Sequence, residues 1–415
     1  MKRFFSIALF LFAAGCASVD SENPYGSRLF RLRVETEYPE PYGAFRRAGV
    51  AVEIEDVDRG NAYRARTDAS GVAEFRITNG IYRVSVSDRV KVAEGETAGE
   101  HIFNGMADKV RLVEEDLDMK LPLRHSKAGA LVIKEIYCGG CMRYPQEGKY
   151  QSDKYVMLHN NGSEVIYLDS LCFGALDPYN SQGTNVWVKT DPGTGATVFR
   201  DFVPIIQALW QFGGSGTDFP LGPGEDAVIC CCGAIDHAAQ YPLSVNLNKP
   251  GYFVLYNNTY FPNTLYHPAP GDRIRPDHYL NVVIKTGQAN AYPLSVYSPA
   301  PVIFRIRGCT AREWVQQPDN VVRKPGSTVD DVVRIPLEWI VDGVEVFYGG
   351  SSKNMKRLDP SVDAGYVTQS ELYAGRSLMR RVDEAASAEA GYEVLTDTNN
   401  SSTDFYERPQ QSLHE

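Results

Sequence analysis

The stretch Asp68-Ala69-Ser70-Gly71 is a polar turn, and it leads into Val72-Ala73-Glu74-Phe75-Arg76-Ile77, where apolar and polar side chains alternate. After Thr78-Asn79-Gly80, a second alternating run follows, Ile81-Tyr82-Arg83-Val84-Ser85-Val86. A period of two gives a strand one buried face and one exposed face. Asn-Gly between two such runs is typical of a β-hairpin. The stretch therefore predicts a small antiparallel sandwich.

The order of these pieces over residues 49–86 resembles the transthyretin-like, carboxypeptidase-regulatory-like sandwich. The pieces that carry the resemblance are T-D-x-x-G-x-A-x-F and G-x-Y-x-V-x-V. The resemblance implies a spacer or adhesive module without catalytic residues. Residues 116–123 read as its last strand, and the polar residues 124–127 as its boundary. We therefore assign residues 28–125 to this module.

The remaining chain, residues 127–410, resembles the lamin-tail-type immunoglobulin-like sandwich. Its motifs begin with the strand Leu131-Val132-Ile133-Lys134-Glu135-Ile136-Tyr137 and continue with the turn Leu221-Gly222-Pro223-Gly224-Glu225. Residues at about 237–335 read as an insertion with strands of its own. The fold class expected for the chain is all-β, with two immunoglobulin-like or transthyretin-like β-sandwich domains. The whole arrangement resembles an uncharacterised family of two-domain Gram-negative surface lipoproteins.

Two segments are candidate helices. Residues 204–210 begin with a proline, which suits the first turn of a helix, although the segment could equally be a strand. Residues 380–386 are the second candidate.

Composition limits the classes of partner. The 415 residues include 42 Lys and Arg against 52 Asp and Glu, a formal net charge of −10. A nucleic-acid-binding protein would need a basic surface, so we expect no nucleic-acid partner.

Residues 1–15 read as a lipoprotein signal peptide. A basic start and a short apolar run precede Ala13-Ala14-Gly15-Cys16, and the run is shorter than a membrane span needs. The small residues before Cys16 resemble a lipobox, which implies lipidation of Cys16 and a tether over residues 16–27. The alternative is an ordinary cleaved signal with an incidental cysteine. We expect a lipid-anchored protein of the outer membrane at the cell surface, with the membrane as a partner through this anchor.

Seven further cysteines raise the question of a metal or a disulfide. They are Cys138, Cys141, Cys172, Cys230, Cys231, Cys232 and Cys309. The C-x-x-C pair at 138 and 141 could bind zinc if the 230–232 run supplied a second pair of ligands. Disulfides or plain buried thiols are the alternatives, and we predict neither a metal nor a cofactor.

Residues 397–404 place oxygen-bearing side chains at alternate positions, as calcium loops do, but a polar turn is the favoured interpretation. The sequence contains neither a G-x-S-x-G elbow nor an H-E-x-x-H motif, so we assign no catalytic residue.

Tyr260, Phe261 and Tyr266 lie among Asn and Pro residues, which indicates a loop. Tyrosines on loops suit ligand contact, and filling of the sandwich core is the alternative. We expect a non-enzymatic surface binding or scaffold protein that uses these three residues and serves an outer-membrane nutrient transporter or an extracellular ligand. The alternative function is a polysaccharide hydrolase with paired carboxylates, because such pairs are defined by spatial separation and leave no motif.

Overall fold

The structure is a computed structural model that describes residues 28–40, 42–92 and 99–414. The predicted signal peptide (1–15), the lipidation site Cys16 and the tether (16–27) lie outside the described residues. None of the described helices has both the length and the apolar character needed to cross a membrane. Strands in packed sheets make up most of the secondary structure, which confirms the all-β sandwich class.

The first sandwich is formed by eight strands of the described chain. They are β1 (Phe30–Glu37), β2 (Ala51–Asp56), β3 (Ala62–Arg66), β4 (Val72–Ile77), β5 (Gly80–Val92), β6 (Gly99–Leu112), β7 (Leu117–Pro122) and β8 (Arg124–Ser126), with a 3-10 helix at Tyr42–Phe45. One sheet has the order β4-β1-β7, and the other has the order β3-β2-β5-β6-β8. Alternating side chains of the two sheets meet in one apolar core, as the alternation in the sequence predicts.

The predicted hairpin at Asn79-Gly80 is wrong. Strands β4 and β5 flank this turn but belong to different sheets, so the turn carries the chain across the sandwich. Neither residue has the positive φ that the usual two-residue Asn-Gly hairpin turn requires. Instead, the Tyr82 hydroxyl donates a hydrogen bond to the carbonyl of Thr78 at 2.8 Å and secures the crossing. The turn at Asp68 is confirmed, because its Oδ1 accepts from the backbone of Ser70 and Val72.

The second sandwich contains the remaining strands. They are β9 (Leu131–Tyr137), β10 (Cys141–Met142), β11 (Lys149–Tyr150), β12 (Tyr155–Asn160), β13 (Ile166–Tyr167), β14 (Cys172–Leu176), β15 (Lys189–Thr190), β16 (Thr197–Val198), β17 (Phe202–Gln211), β18 (Pro220–Leu221), β19 (Asp226–Cys230), β20 (Phe253–Val254), β21 (Asn281–Lys285), β22 (Pro301–Phe304), β23 (Val321–Arg323), β24 (Asp331–Pro336), β25 (Ile340–Gly343), β26 (Val346–Tyr348), β27 (Val367–Gln369), β28 (Ser377–Arg380) and β29 (Phe405–Arg408). The helices are α1 (Ala311–Gln316), α2 (Glu384–Ala390) and α3 (Ser401–Asp404), with 3-10 turns at Pro276–His278, Leu337–Trp339 and Ser351–Lys353.

Two large sheets enclose the core of the second sandwich. One has the order β20-β19-β12-β9-β28-β29, and the other has the order β23-β24-β17-β14-β22-β25, with β21 paired to β17. Side chains from both sheets meet in one core, among them Ile136 of β9 and Trp210 of β17. The segment expected as an insertion, at about 237–335, contributes β20 to one sheet and β21 to β24 to the other. This segment is therefore part of the same core and is not an appended unit.

The two candidate helices have different outcomes. Residues 204–210 lie in β17, a strand whose side chains are mostly buried. The apolar run does not alternate because β17 is an interior strand of its sheet, covered on both faces. At the second candidate, β28 ends at Arg380 and α2 begins only after Asp383, whose side chain accepts from the backbone N–H of Ala386 as an N-cap.

Candidate functional site

A cleft of about 520 Å³ lies where the two sandwiches meet. We call it the inter-sandwich cleft. One wall is formed by β1, β6 and β7 of the first sandwich, and the other by residues 191–199 and 359–360 of the second. Volumes of this size are typical of small-molecule sites, which occur preferentially at the junctions between domains. The cleft is therefore the candidate binding site.

A short hairpin, β15–β16, brings the second sandwich against the first. Its tip is the turn Asp191-Pro192-Gly193-Thr194-Gly195, in which Asp191 Oδ1 accepts from the backbone N–H groups of Gly193 and Thr194 at 3.1 and 2.7 Å. These bonds hold the pKa of Asp191 below its ordinary value. Gly195 has φ +73°, a conformation that favours glycine. The backbone N–H of Arg111 donates to the carbonyl of Thr194 at 3.0 Å, which fixes the tip to β6.

The floor of the cleft is apolar. Its side chains come from β6, β7 and the hairpin, and they are Met106, Ala107, Met119, Leu121, Ala196 and Val198. Ala196 is 6% exposed and packs in the core of the first sandwich, although it belongs to the second. Within the described residues, β7 pairs with β1 alone, and its other edge lines the cleft. An apolar ligand in the cleft would therefore contact side chains that are continuous with the sandwich core.

Charged side chains surround the opening, and most of them already have partners. The charged residues are Arg33, Glu35, Asp118, Lys120, Arg124, Asp191 and Asp359. Glu35 accepts from Arg46 at 2.8 Å, and Lys120 donates to Glu37 at 2.6 Å. Asp118 accepts from Arg31, while Asp191 and Asp359 accept from groups of their own turns.

Two guanidinium groups at the opening differ from the rest. Arg33 is exposed and has no hydrogen-bonded carboxylate among the described residues. Arg124 approaches Asp359 only to 3.9 Å, beyond hydrogen-bond distance, and its side chain is 57% exposed. The opening therefore presents two cations that could contact an anionic group of a ligand.

The three residues of the aromatic loop predicted as a binding surface differ in their exposure to solvent. Tyr260 and Tyr266 are 43% and 44% exposed, and Leu265 beside them is 70% exposed. Asn257 and Asn263 shape the loop, because their side-chain oxygens accept from backbone N–H groups two residues onward, at Thr259 and Leu265. The loop thus presents two tyrosines and a leucine to solvent.

Phe261 is not available as a surface contact, so its assignment to a binding loop is corrected. It is fully buried and stacks on Trp210 with ring centres 5.5 Å apart. It also meets Tyr292 edge to face at 6.1 Å. Phe261 therefore anchors the loop to the core while its neighbour Tyr260 faces outward.

The seven described cysteines are all free, so the disulfide alternative is not realised among them. Six are buried, and burial raises the pKa of Cys138, Cys141 and Cys172 to about 12. Cys138 Sγ donates to Gln369 Oε1 at 3.2 Å, and Cys141 Sγ to Asp153 at 3.6 Å. The described residues include no group of three or more His, Cys, Asp or Glu side chains placed to hold a metal ion.

Residues 397–404, which resemble a calcium loop in spacing, instead surround a buried arginine. Arg380 is 2% exposed, and its guanidinium lies 2.7 Å from Asp342, 3.1 Å from Asp397 and 3.4 Å from Asp404. Three carboxyl groups thus share one cation. Burial and the neighbouring charge of Asp397 raise the pKa of these carboxyl groups, whereas Arg380 lowers it. The net result is a pKa of about 7 for Asp342 and of about 6 for Asp404.

The cleft is the feature that the sequence did not indicate. Its walls come from residues that are far apart along the chain and belong to two different sandwiches. One local signal was present, because the residues Asp191-Pro192-Gly193 are typical of a turn. Nothing local to that hairpin shows that its Ala196 enters the core of the other sandwich.

Comparison with known proteins finds a match to a family model over part of the chain and a similar fold over most of it. No curated protein sequence matches the chain. A crystal structure of a DUF4876 family protein from Bacteroides thetaiotaomicron is 23% identical, covers 91% of this chain and 94% of its own, and superposes with a TM-score of 0.57. The Bacillus anthracis TIE protein is 12% identical over 46% of this chain and 49% of its own, with a TM-score of 0.16. Residues 222–412 match the family described as Protein of unknown function (DUF4876), and the chain shares the all-β fold of a solved protein of that family.

Proposed function

We propose that this protein is a lipid-anchored binding protein of the outer-membrane surface that holds a small ligand in the inter-sandwich cleft. The observation that carries the proposal is the cleft itself, about 520 Å³ with an apolar floor and two arginines at its opening that have no hydrogen-bonded carboxylate among the residues described. Because both walls are made by sheets or by a hairpin held to β6, the site is formed before a ligand arrives. A preformed site spares the cost of ordering the protein when the ligand binds.

Binding without turnover is the proposed mode of action. A hydrolase with paired carboxylates would need a carboxyl of raised pKa that is free to donate its proton. The two described Asp residues whose pKa is raised to about 6 or 7, Asp342 and Asp404, share the buried Arg380 instead. Their raised pKa values therefore support a structural role. Product release from polysaccharides by the purified protein would overturn this part of the proposal.

A fluorescent probe tests the cleft directly. We expect anilinonaphthalene sulfonate, an anion with apolar rings, to bind the native protein saturably. Val198 is 45% exposed on the cleft floor, so Val198→Glu should weaken this binding without unfolding the protein. Val165 is 49% exposed and lies outside the cleft, which makes Val165→Glu the matched control. Equal binding by both variants would place the probe elsewhere and overturn the proposed site.

The anchor and the partner form the second half of the proposal. Lipidation of Cys16 would hold the sandwiches at the membrane, and an outer-membrane nutrient transporter is the proposed recipient of the ligand. Cys16→Ala should abolish acyl labelling and release the protein from membranes. Normal acyl labelling of that variant would overturn the lipoprotein assignment.

A further inference from the structure

We infer that the ligand of the inter-sandwich cleft is an anionic amphiphile, a linear alkyl chain that ends in a carboxylate or a similar acid group. The inference rests on the proposed binding function and names the ligand class of the same site. Three features of the cleft carry it: the five consecutive residues of β7 that line it, the two methionines on the floor, and the two arginines at the opening that have no hydrogen-bonded carboxylate among the described residues.

The shape of the floor suits a linear chain. Five consecutive residues of β7, 118–122, line the cleft, so it follows the strand for about 13 Å. The inward-facing members, Met119 and Leu121, are 5% and 1% exposed and belong to the sandwich core. A chain lying along this edge would exchange water for apolar side chains over its whole length.

Methionine provides two of the floor side chains. Met106 of β6 and Met119 of β7 both line the cleft and are 6% and 5% exposed. An unbranched thioether has several rotatable bonds and adapts to ligands of different length. The floor is therefore suited to flexible alkyl chains more than to one fixed ring system.

The acid group is indicated by the charges at the opening. Lys120 is neutralised by Glu37, whereas Arg33 and Arg124 have no hydrogen-bonded carboxylate in the described part of the chain. Among the neighbouring acids, Asp118 accepts from Arg31, and Asp359 lies 3.9 Å from the Arg124 guanidinium, beyond hydrogen-bond distance. A ligand carboxylate at the opening would supply the missing partner in a charge-assisted contact.

An extended peptide is the other occupant that a strand edge could take, and the edge residues disfavour it. Lys120 and Pro122 are exposed residues of the edge strand β7, and charged residues and prolines on edge strands are the devices that prevent strand addition. The single amphiphile is therefore the occupant that the observations favour.

The test is displacement of the bound fluorescent probe by alkyl carboxylates, from octanoate through decanoate to dodecanoate. Each buried methylene should tighten binding about fourfold, so dodecanoate should displace the probe far better than octanoate. Dodecanol, which lacks the charge, should bind about tenfold more weakly than dodecanoate. This difference should disappear in the double variant Arg33→Gln/Arg124→Gln and persist in Arg312→Gln, an exposed arginine of α1 outside the cleft.

The outcomes separate this inference from the proposed function. If the probe binds the cleft but chain length has no effect, the inference is overturned while the binding function stands. Displacement by an extended peptide and not by dodecanoate would overturn it in the same way. Vesicles containing phosphatidylglycerol distinguish the source of the amphiphile. If the protein binds these vesicles and Val198→Glu removes that binding, the amphiphile is a bilayer lipid. If dodecanoate displaces the probe but the protein does not bind vesicles, the amphiphile is a free molecule.

Discussion

The Arg83 guanidinium lies 4.7 Å from the centre of the Tyr366 ring, so a residue of the first sandwich stacks on a residue of the second. Arg83 is 5% exposed and lies 3.0 Å from the carboxylates of both Asp108 and Glu55. The Tyr366 hydroxyl donates to the same Glu55 at 2.8 Å. The two sandwiches are therefore joined by a partly buried polar contact as well as by the apolar packing of Ala196.

Removing this arginine should destabilise the whole chain. Arg83→Met leaves Asp108, which is 1% exposed, as a buried carboxylate without its cation. We expect the free energy of unfolding to fall by about 3–5 kcal/mol, measured by urea denaturation. Tyr366→Phe is the matched control, because it keeps the ring and loses one hydrogen bond, with an expected cost of about 1 kcal/mol. Equal losses in the two variants would show that the Arg83 charge is not what joins the sandwiches.

Stability should depend on pH through the carboxyl groups around Arg380. The pKa of Asp342 is about 7 and that of Asp404 about 6 in the folded protein, above the ordinary value for aspartate of 3.8. The folded state therefore holds these protons more tightly, and the stability they confer is lost as pH rises through 6 and 7. We expect the free energy of unfolding to fall by roughly 1–2 kcal/mol between pH 6 and pH 8.

Asp397→Asn separates this effect from other titrations. It removes the neighbouring charge that raises both pKa values, so the decline between pH 6 and pH 8 should become smaller. His125, His237 and His267 have lowered pKa values and act in the opposite direction, mainly below about pH 6.5. Asp191→Asn, at the hairpin turn, should leave the slope unchanged. The prediction fails if Asp397→Asn and the unsubstituted protein lose stability in parallel.

Local patterns were sufficient for the fold class and for most strands of the first sandwich. Alternation predicts β1, β2 and β4 because one face of each strand meets the core and the other meets water. It fails at residues 204–210, since β17 lies inside its sheet and both of its faces are buried. The Asn79-Gly80 turn misled for a different reason: the turn residues mark a reversal, but they do not determine which strand the chain pairs with next.

The candidate site was beyond what local sequence could predict. Tyr260 and Phe261 are adjacent aromatic residues in one loop, yet one faces solvent and the other stacks on Trp210 of β17. That difference depends on a strand some fifty residues earlier in the chain. The cleft likewise depends on the contact between Arg111 and Thr194, which joins two sandwiches that the sequence presents as separate modules.

Thiol labelling should distinguish the buried cysteines from Cys309. Burial raises the pKa of Cys138, Cys141 and Cys172 to about 12, and buried thiols of this kind react slowly. Cys309 alone among the seven described cysteines is partly exposed. At pH 8 the native protein should therefore react with a thiol reagent at Cys309 first, and the reaction should be lost in Cys309→Ser. After denaturation all seven should react. Rapid native labelling at Cys138 or Cys141 would contradict this burial.

Single substitutions in the aromatic loop should separate the residue that anchors the loop to the core from the residues that face solvent. Phe261→Ala removes a fully buried ring that stacks on Trp210, so it should lower the free energy of unfolding by about 3–5 kcal/mol. Tyr260→Ala and Tyr266→Ala remove side chains that are 43% and 44% exposed, and each should change it by no more than about 0.5 kcal/mol. Urea denaturation measures all three. A tyrosine variant as unstable as Phe261→Ala would mean that the loop packs as a unit with the core, whereas the expected result leaves both tyrosines as surface contacts on a loop that Phe261 holds in place.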